Sequence, residues 1–146
     1  RLRLETYVAP LLPVALANVV VAVVVYGGSA LIDDPLPIAD VVAVHALSVP
    51  YLLCCVAVGT LCSVLAPSRR VAEAAGAGAI AATYVLSVAV IGTDLDWLAT
   101  VAPAHYYDPV AVLTASEYDL AGAGILLGAT VVLLAAATRR FREVDM

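Results

Sequence analysis

The sequence predicts an all-α, polytopic membrane protein: a bundle of four transmembrane helices, with short interfacial helices in the outer loop between spans three and four. Hydrophobic residues make up 64% of the chain and charged residues 13%, whereas a soluble domain is about half apolar and about a quarter charged. The mean hydropathy is +1.04. Four apolar runs are each long enough to cross a bilayer core, which takes roughly 20 helical residues.

The four apolar runs are the predicted spans. We expect a single transmembrane domain over residues 1–146, with spans near 8–32, 41–66, 71–92 and 120–138. Only helices and closed barrels satisfy every backbone group within lipid, and these runs lack the alternation of apolar and polar residues that is typical of barrel strands. Continuous stretches such as VVVAVVVY therefore indicate helices.

The distribution of charge predicts the orientation. The chain has no lysine, and its arginines stand before the first span, between the second and third, and after the fourth: Arg1, Arg3, Arg69, Arg70, Arg139, Arg140 and Arg142. Short arginine-rich loops stay in the cytoplasm. We therefore expect a multi-pass protein of the cell membrane with both termini cytoplasmic, in contact with the lipid bilayer. A net charge of −5 argues against nucleic-acid partners.

Polar residues within apolar spans are functional candidates by default. Asn18 and His45 are the two that we expect at membrane depth, although a hydrogen-bonded structural histidine is the commoner interpretation of His45. Asp40 is expected to cap the second helix at the outer boundary. Glu73 is expected to pair with an arginine, Arg69 or Arg70, about one turn earlier.

Other features of the spans have structural interpretations. Pro50 interrupts the second span and is expected to bend it, as a packing kink or as a hinge. Cys54, Cys55 and Cys62 are expected to pack as small apolar residues, with a redox or metal site as the alternative. Small residues on the third and fourth spans predict close helix packing; they include Gly76, Gly78, Gly124 and Gly128.

The sequence contains no motif for catalysis, cofactor binding or metal binding. A phosphate-binding GxxxxGK[ST] loop requires a lysine, and none is present. His45, His105 and Asp108 could in principle form a metal site, but no HxxxH, HExxH or CxxC spacing supports one. We therefore expect no catalytic residue, no cofactor and no metal.

The outer loop, residues 93–119, is too long for a simple turn. It contains the amphipathic stretch DWLATVAPAHYYDPVAVLTA, whose apolar segments are too short to span. We expect one or two short helices at the outer surface, broken at Pro103 and Pro109 and anchored by aromatic side chains.

Three stretches together resemble a known family. They are LAPSRRVAEAAGAGAIAATYVL, DLDWLATVAPAHYYDPVAVL and the ending TRRFREVDM. Their order and spacing are similar to the last four transmembrane helices of a type-2 ATP-binding-cassette (ABC) transporter permease: a cytoplasmic Pro-Ser-Arg-Arg turn before a fifth helix rich in small residues, an outer re-entrant segment, and an arginine-rich tail. Family members usually have six spans, so we expect a fragment. The absence of lysine beside abundant Asp, Ala and Val suggests a salt-loving, archaeal source.

The resemblance implies a permease subunit that forms homo- or heterodimers and engages a separate ABC ATPase subunit. Such a subunit forms part of the substrate translocation pathway and does not itself hydrolyse ATP. Eight positions are the candidates for lining or gating that pathway: Asn18, His45, Pro50, Trp97, His105, Tyr106, Tyr107 and Asp108.

Two other classes remain open. One is a small structural or assembly membrane protein that only packs against partners. The other is a membrane-embedded enzyme that uses His45, His105 and the outer aspartates. The enzyme is the weakest of these hypotheses, because catalytic groups should converge within hydrogen-bond reach, whereas these lie on one span and one loop.

Overall fold

The computed structural model describes residues 11–32 and 35–144. This part of the chain is 84% helical and contains no strand, which confirms the all-α fold class. In chain order the elements are the α-helices α1 (Leu11–Leu31), α2 (Ile38–Leu65) and α3 (Arg69–Ala89), the 3₁₀ helices η1 (Asp96–Val101) and η2 (Pro103–Tyr106), and the α-helices α4 (Pro109–Ala115) and α5 (Leu120–Val144).

Three of these helices are long and apolar enough to cross a bilayer: α2, α3 and the segment Leu120–Arg142 of α5. They correspond to the predicted spans 41–66, 71–92 and 120–138. The apolar part of α1, Ala15–Leu31, is shorter. Because the predicted first span begins outside the described residues, the fourth crossing stays a prediction.

One local prediction about α2 is wrong. The helix begins at Ile38, so Asp40 lies in its first turn and is not the cap. The carbonyl oxygen of Pro37 instead accepts the N–H groups of Asp40 at 3.0 Å and Val41 at 3.2 Å. In addition, α2 runs unbroken through Pro50. A proline removes one N–H donor, but neighbouring groups can satisfy the carbonyl that it leaves free; the expected bend stays a prediction.

The first turn of α3 has a serine cap and an ion pair. Ser68 is the N-cap, and its hydroxyl oxygen accepts the N–H of Val71 at 3.4 Å. One turn into the helix, Arg69 Nε lies 2.7 Å from Glu73 Oε1, which confirms the predicted pair. Both side chains are exposed, so this contact contributes little to stability and serves mainly to orient the guanidinium.

The chain divides into two compact units. The described residues of the first belong to α1, to α2 as far as Ala46, and to the segment Val110–Glu117. Its buried apolar side chains include those of Val41, Val44 and Val112. The turn after α1 is closed by Ser29, whose hydroxyl donates to the carbonyl of Tyr26 and accepts the N–H of Leu36. 

The second unit comprises Leu47–Pro109 and the residues from Tyr118 onward. Within it, η1 and η2 pack against α3, and η2 also contacts α5. The buried residues are mostly small, including Cys54, Ala57, Ala72, Ala99, Ala102, Leu126 and Ala137. Small side chains let the helix backbones approach closely, in the manner of packed membrane helices.

Gly76 shows this close approach directly. A Cβ at this position would lie 3.3 Å from the Cα of Gly59, so α2 and α3 meet almost backbone to backbone. The prediction of close packing is confirmed here. At Gly78, Gly124 and Gly128, a Cβ would meet no described atom within 4 Å, so these three glycines mark no close contact within the described chain.

Candidate functional site

A cavity of about 500 Å³ lies where α3 ends, in the second unit; we name it the outer cavity after the predicted outer loop that forms part of its wall. The wall comes from the last two turns of α3 and from η1 and η2. Three of the eight candidate residues lie in this wall: His105, Tyr107 and Asp108. The other polar or aromatic lining residues are Tyr84, Ser87 and Asp96.

The local sequence explains how this wall is built. Gly92 has a φ of +74°, a conformation that glycine adopts without strain, and it ends the turn after α3. The hydroxyl of Thr93 donates to the carbonyl of Val90 at 2.8 Å and accepts the N–H of Leu95 at 3.2 Å. The chain is thereby turned directly into η1.

Pro103 and Pro109 begin η2 and α4, as expected from the preference of proline for the first helical turn. The chain therefore breaks at both predicted prolines, but it forms three short helices in place of one or two. The hydroxyl of Tyr106 donates to the carbonyl of Thr100 at 2.9 Å. This bond ties η2 to η1 and fixes the spacing between the two 3₁₀ helices.

A second cavity has a volume of about 980 Å³ and runs between α2 and α3 in the same unit; we name it the inner groove because one end lies at the predicted cytoplasmic arginines. Serines and charged residues line one end, near the start of α3, and tyrosines line the other. The residues of its wall are Tyr51, Cys55, Gly59, Ser63, Ala66, Ser68, Arg69, Ala72, Glu73, Gly76, Ala77, Ile80, Ala81 and Tyr84.

Three tyrosines lie where the inner groove and the outer cavity meet, and we call them the tyrosine junction: Tyr51, Tyr84 and Tyr107. Tyr84 lines both cavities. Tyr51 lines the groove and Tyr107 lines the outer cavity, and their rings stack at 5.5 Å between centroids with an interplanar angle of 25°. The two cavities thus share one wall residue, and the stacked rings link a second residue of each wall.

The junction is uncharged at neutral pH on its outer side. Burial raises the pKa of the Tyr107 phenol above its ordinary value near 10, because desolvation disfavours the phenolate. Tyr107 therefore presents a neutral ring and hydroxyl. Asp96, His105 and Asp108 also line the outer cavity, and their two carboxylates suit neutral or cationic solutes better than anions.

The other candidate residues do not join this site. Trp97 is 62% exposed. Tyr106 braces η1 and makes an edge contact with the ring of His105, 5.0 Å between centroids. Pro50 lies half-buried within α2, where it does not line the groove.

Asn18 and His45 belong to the first unit, and both are half-buried. His45 Nδ1 lies 2.7 Å from the carbonyl oxygen of Val41, one turn earlier on α2. This is the geometry of a structural histidine. Within the described residues, no group of three His, Cys, Asp or Glu side chains is placed to hold a metal ion.

Sequence reasoning missed Tyr51, Tyr84 and Asp96. A tyrosine well inside an apolar span, away from the interfacial belts where aromatic residues gather, was the available signal for Tyr51 and Tyr84. In the sequence, Asp96 is one of several acidic residues of the predicted outer loop. No signal in the sequence indicates that it faces a cavity.

The function of the chain therefore has to be inferred from this geometry, because the comparisons with known proteins give no relative. No protein-family model, curated protein or solved structure matches the chain.

Proposed function

We propose that this chain is a membrane-spanning permease subunit of a type-2 ABC transporter, which forms part of the substrate pathway and is driven by a separate ATPase subunit. The observation that carries the proposal is the tyrosine junction. Two cavities, about 980 Å³ and about 500 Å³, share Tyr84 as a wall residue. A groove and an outer cavity that share a wall residue provide the two compartments that alternating access requires.

The membrane placement is supported by the exposed surface of the helices. Large apolar side chains point outward on α2, α3 and α5, among them Val56, Val85, Ile125, Val131 and Val132. Soluble monomers rarely expose apolar surface continuously, whereas lipid-facing helices do so throughout. The three long apolar helices are of the length that a bilayer core requires.

The orientation of the pathway follows from the arginines. Arg69 lies at one end of the groove, and the positive-inside rule assigns it to the cytoplasm. The outer cavity, whose rim carries Asp96 and Asp108, then faces the exterior. A solute would enter beside the start of α3 and leave past Tyr84 and Tyr107.

The first test is purification of the full protein, with an affinity tag, from its native membranes in mild detergent. The proposal predicts that a subunit with a phosphate-binding loop co-purifies and that the complex hydrolyses ATP after reconstitution in liposomes. A preparation without ATPase activity contradicts the permease function and favours the packing protein.

The second test follows the junction itself without a known substrate. In a background with Cys54, Cys55 and Cys62 replaced by alanine, Tyr84→Cys and Tyr118→Cys are labelled from outside with a membrane-impermeant maleimide. We expect the labelling rate of Tyr84→Cys to change with ATP and vanadate. That of Tyr118→Cys, on an exposed outer residue, should stay constant. Equal responses of the two positions would contradict a gate at Tyr84.

A further inference from the structure

The inner groove has a polarity gradient along its length. Its charged end holds Arg69 and Glu73, its middle is lined by small residues such as Gly76 and Ala77, and its far end is lined by Tyr84. Residues 69 and 84 are about 22 Å apart along the helix axis. The groove is therefore polar at one expected membrane boundary and apolar over most of the bilayer thickness. This pattern matches an amphiphilic molecule, which has a polar head and an apolar tail.

The start of α3, at the charged end of the groove, carries two arginines and one glutamate. The guanidinium of Arg69 is 92% exposed and uses its Nε–H for the 2.7 Å bond to Glu73. Arginine has five N–H donors in a fixed fork, so the terminal nitrogens keep the geometry that binds a phosphate in bidentate fashion. Arg70, the next residue of α3, is also exposed but does not line the groove. With Glu73, the two arginines give the start of α3 a net charge of +1.

We propose that the inner groove binds an anionic membrane phospholipid, with the lipid phosphate at Arg69 and one acyl chain along Gly76, Ala77 and Ile80. The proposal depends on the chain crossing a membrane but not on an ATPase partner. Apolar contact alone does not distinguish the groove from the surrounding bilayer, since lipid tails are as apolar as the groove wall. Preference for this lipid therefore comes from the headgroup charge at Arg69.

Charge also argues against a second copy of this chain as the occupant. Closed homodimers place identical patches opposite each other. A two-fold axis along the membrane normal would bring a second Arg69 and Arg70 to the same depth at the same groove. Like charges in one site repel, whereas an anionic headgroup neutralises them.

The experiment measures lipid retention by the purified full protein without ATP. The protein in mixed micelles is offered phosphatidylglycerol or phosphatidylcholine, and bound lipid is read by native mass spectrometry. We expect phosphatidylglycerol to be retained several-fold more strongly. Arg69→Gln should reduce that preference on the order of threefold to tenfold, as expected for loss of a charge-assisted hydrogen bond, and Arg142→Gln, at the far end of α5, should not.

A matched pair of variants tests the groove itself. Ala77 lines the groove and Ala79 does not, although both are exposed on α3. Ala77→Phe should abolish retention of phosphatidylglycerol, and Ala79→Phe should leave it unchanged, with equal helix content by circular dichroism confirming that both variants fold. Equal retention of the two lipids, or equal behaviour of the two variants, would overturn the proposal. A lipid-free dimer that Ala77→Phe dissociates would assign the groove to a second copy.

Because this readout uses no nucleotide, its failure is distinguishable from failure of the permease function. A chain that binds phosphatidylglycerol but has no ATPase partner keeps the lipid site and loses the transporter. A chain that hydrolyses ATP with its partner but retains both lipids equally keeps the transporter function and loses the lipid site.

Discussion

At the scale of single residues, Ser116 combines backbone strain with a buried contact. Its φ is 52°, in the left-handed region that costs a non-glycine residue about 1 kcal/mol or more. Its hydroxyl donates to Oδ2 of Asp40 at 3.0 Å, and Asp40 is only 3% exposed. A charge-assisted hydrogen bond to a buried carboxylate contributes about 1.5–3 kcal/mol, which outweighs that strain.

Two substitutions at Ser116 separate the hydrogen bond from the strain. Ser116→Ala loses the bond and keeps the strain, so we expect it to lower the free energy of unfolding by about 1–3 kcal/mol. Ser116→Gly loses the same bond but relieves the strain, so it should be about 1 kcal/mol more stable than the alanine variant. Denaturation in detergent, followed by circular dichroism, measures both. If the glycine variant were no more stable than the alanine variant, the backbone at position 116 would not be strained.

Tyr107 makes the stability of the folded protein depend on pH in the alkaline range. Burial raises the pKa of its phenol in the folded state above the ordinary value near 10. The resulting stabilisation is fully present below pH 10 and is lost as the pH rises through the folded-state pKa. Tyr107→Phe removes this loss and keeps a ring to stack on Tyr51, so its stability should fall less steeply above pH 10.

The titration of Tyr107 can be read directly. The tyrosinate absorbance of Tyr107→Phe is subtracted from that of the unmodified protein over an alkaline pH series. We expect the difference to have its midpoint above pH 10 while the far-ultraviolet circular dichroism is still native. A midpoint at or below 10 would show that the phenol is not desolvated.

At the scale of helices, the contact between α2 and α3 depends on the absence of side chains. A Cβ at position 76 would meet the backbone of Gly59 at 3.3 Å, whereas one at position 78 would meet no described atom within 4 Å. Both glycines lie inside α3, where alanine is favoured by about 1 kcal/mol from helix propensity. Gly78→Ala should therefore stabilise the protein by up to about that amount.

Gly76→Ala gains the same propensity but pushes the two helices apart. Because its neighbour is backbone and not a flexible side chain, the loss of contact along the interface should cost about 1–3 kcal/mol, typical of overpacking. We expect Gly76→Ala to unfold at a lower temperature than Gly78→Ala in the same detergent. Equal stability of the two variants would mean that α2 and α3 separate without cost.

The helices were more predictable than their ends. Apolar runs of about 20 residues predict helices because lipid leaves the backbone no other hydrogen-bond partners, and α2, α3 and α5 lie within a few residues of the predicted spans. The start of α2 was misplaced because Asp40 resembles a cap in the sequence. In the fold, its carboxylate is used by Ser116, 76 positions along the chain, and no local pattern encodes that distance.

At the scale of the whole molecule, the candidate site was predictable only in its local part. His105, Tyr107 and Asp108 follow one another in the outer loop, so an expectation that this loop is functional includes all three. Tyr51 and Tyr84 come from two different helices. Their meeting with Tyr107 depends on how α2, α3 and η2 pack, and periodicity within one run carries no information on which faces of separate helices will meet.

The direction in which α3 is expected to cross the membrane decides which end of the proposed pathway is cytoplasmic. With 21 residues, α3 is long enough for a bilayer core of about 30 Å, and it separates Ser68 beside two arginines from Asp94 in the acidic loop. Moving arginine into the centre of a membrane costs about 2.5–3.5 kcal/mol per residue on insertion scales. The start of α3 is therefore expected to stay inside.

This orientation predicts the labelling of two cysteines placed on either side of α3. In the background that lacks Cys54, Cys55 and Cys62, a membrane-impermeant maleimide added to intact cells should label Asp94→Cys and not Ser68→Cys, and it should label both after the cells are permeabilised. Both positions are exposed, so protection reports the membrane and not burial. If only Ser68→Cys reacts in intact cells, the groove takes its solutes and its lipid from the outer side. If both react, α3 does not cross the membrane. The groove then does not face a bilayer that could supply the proposed phospholipid.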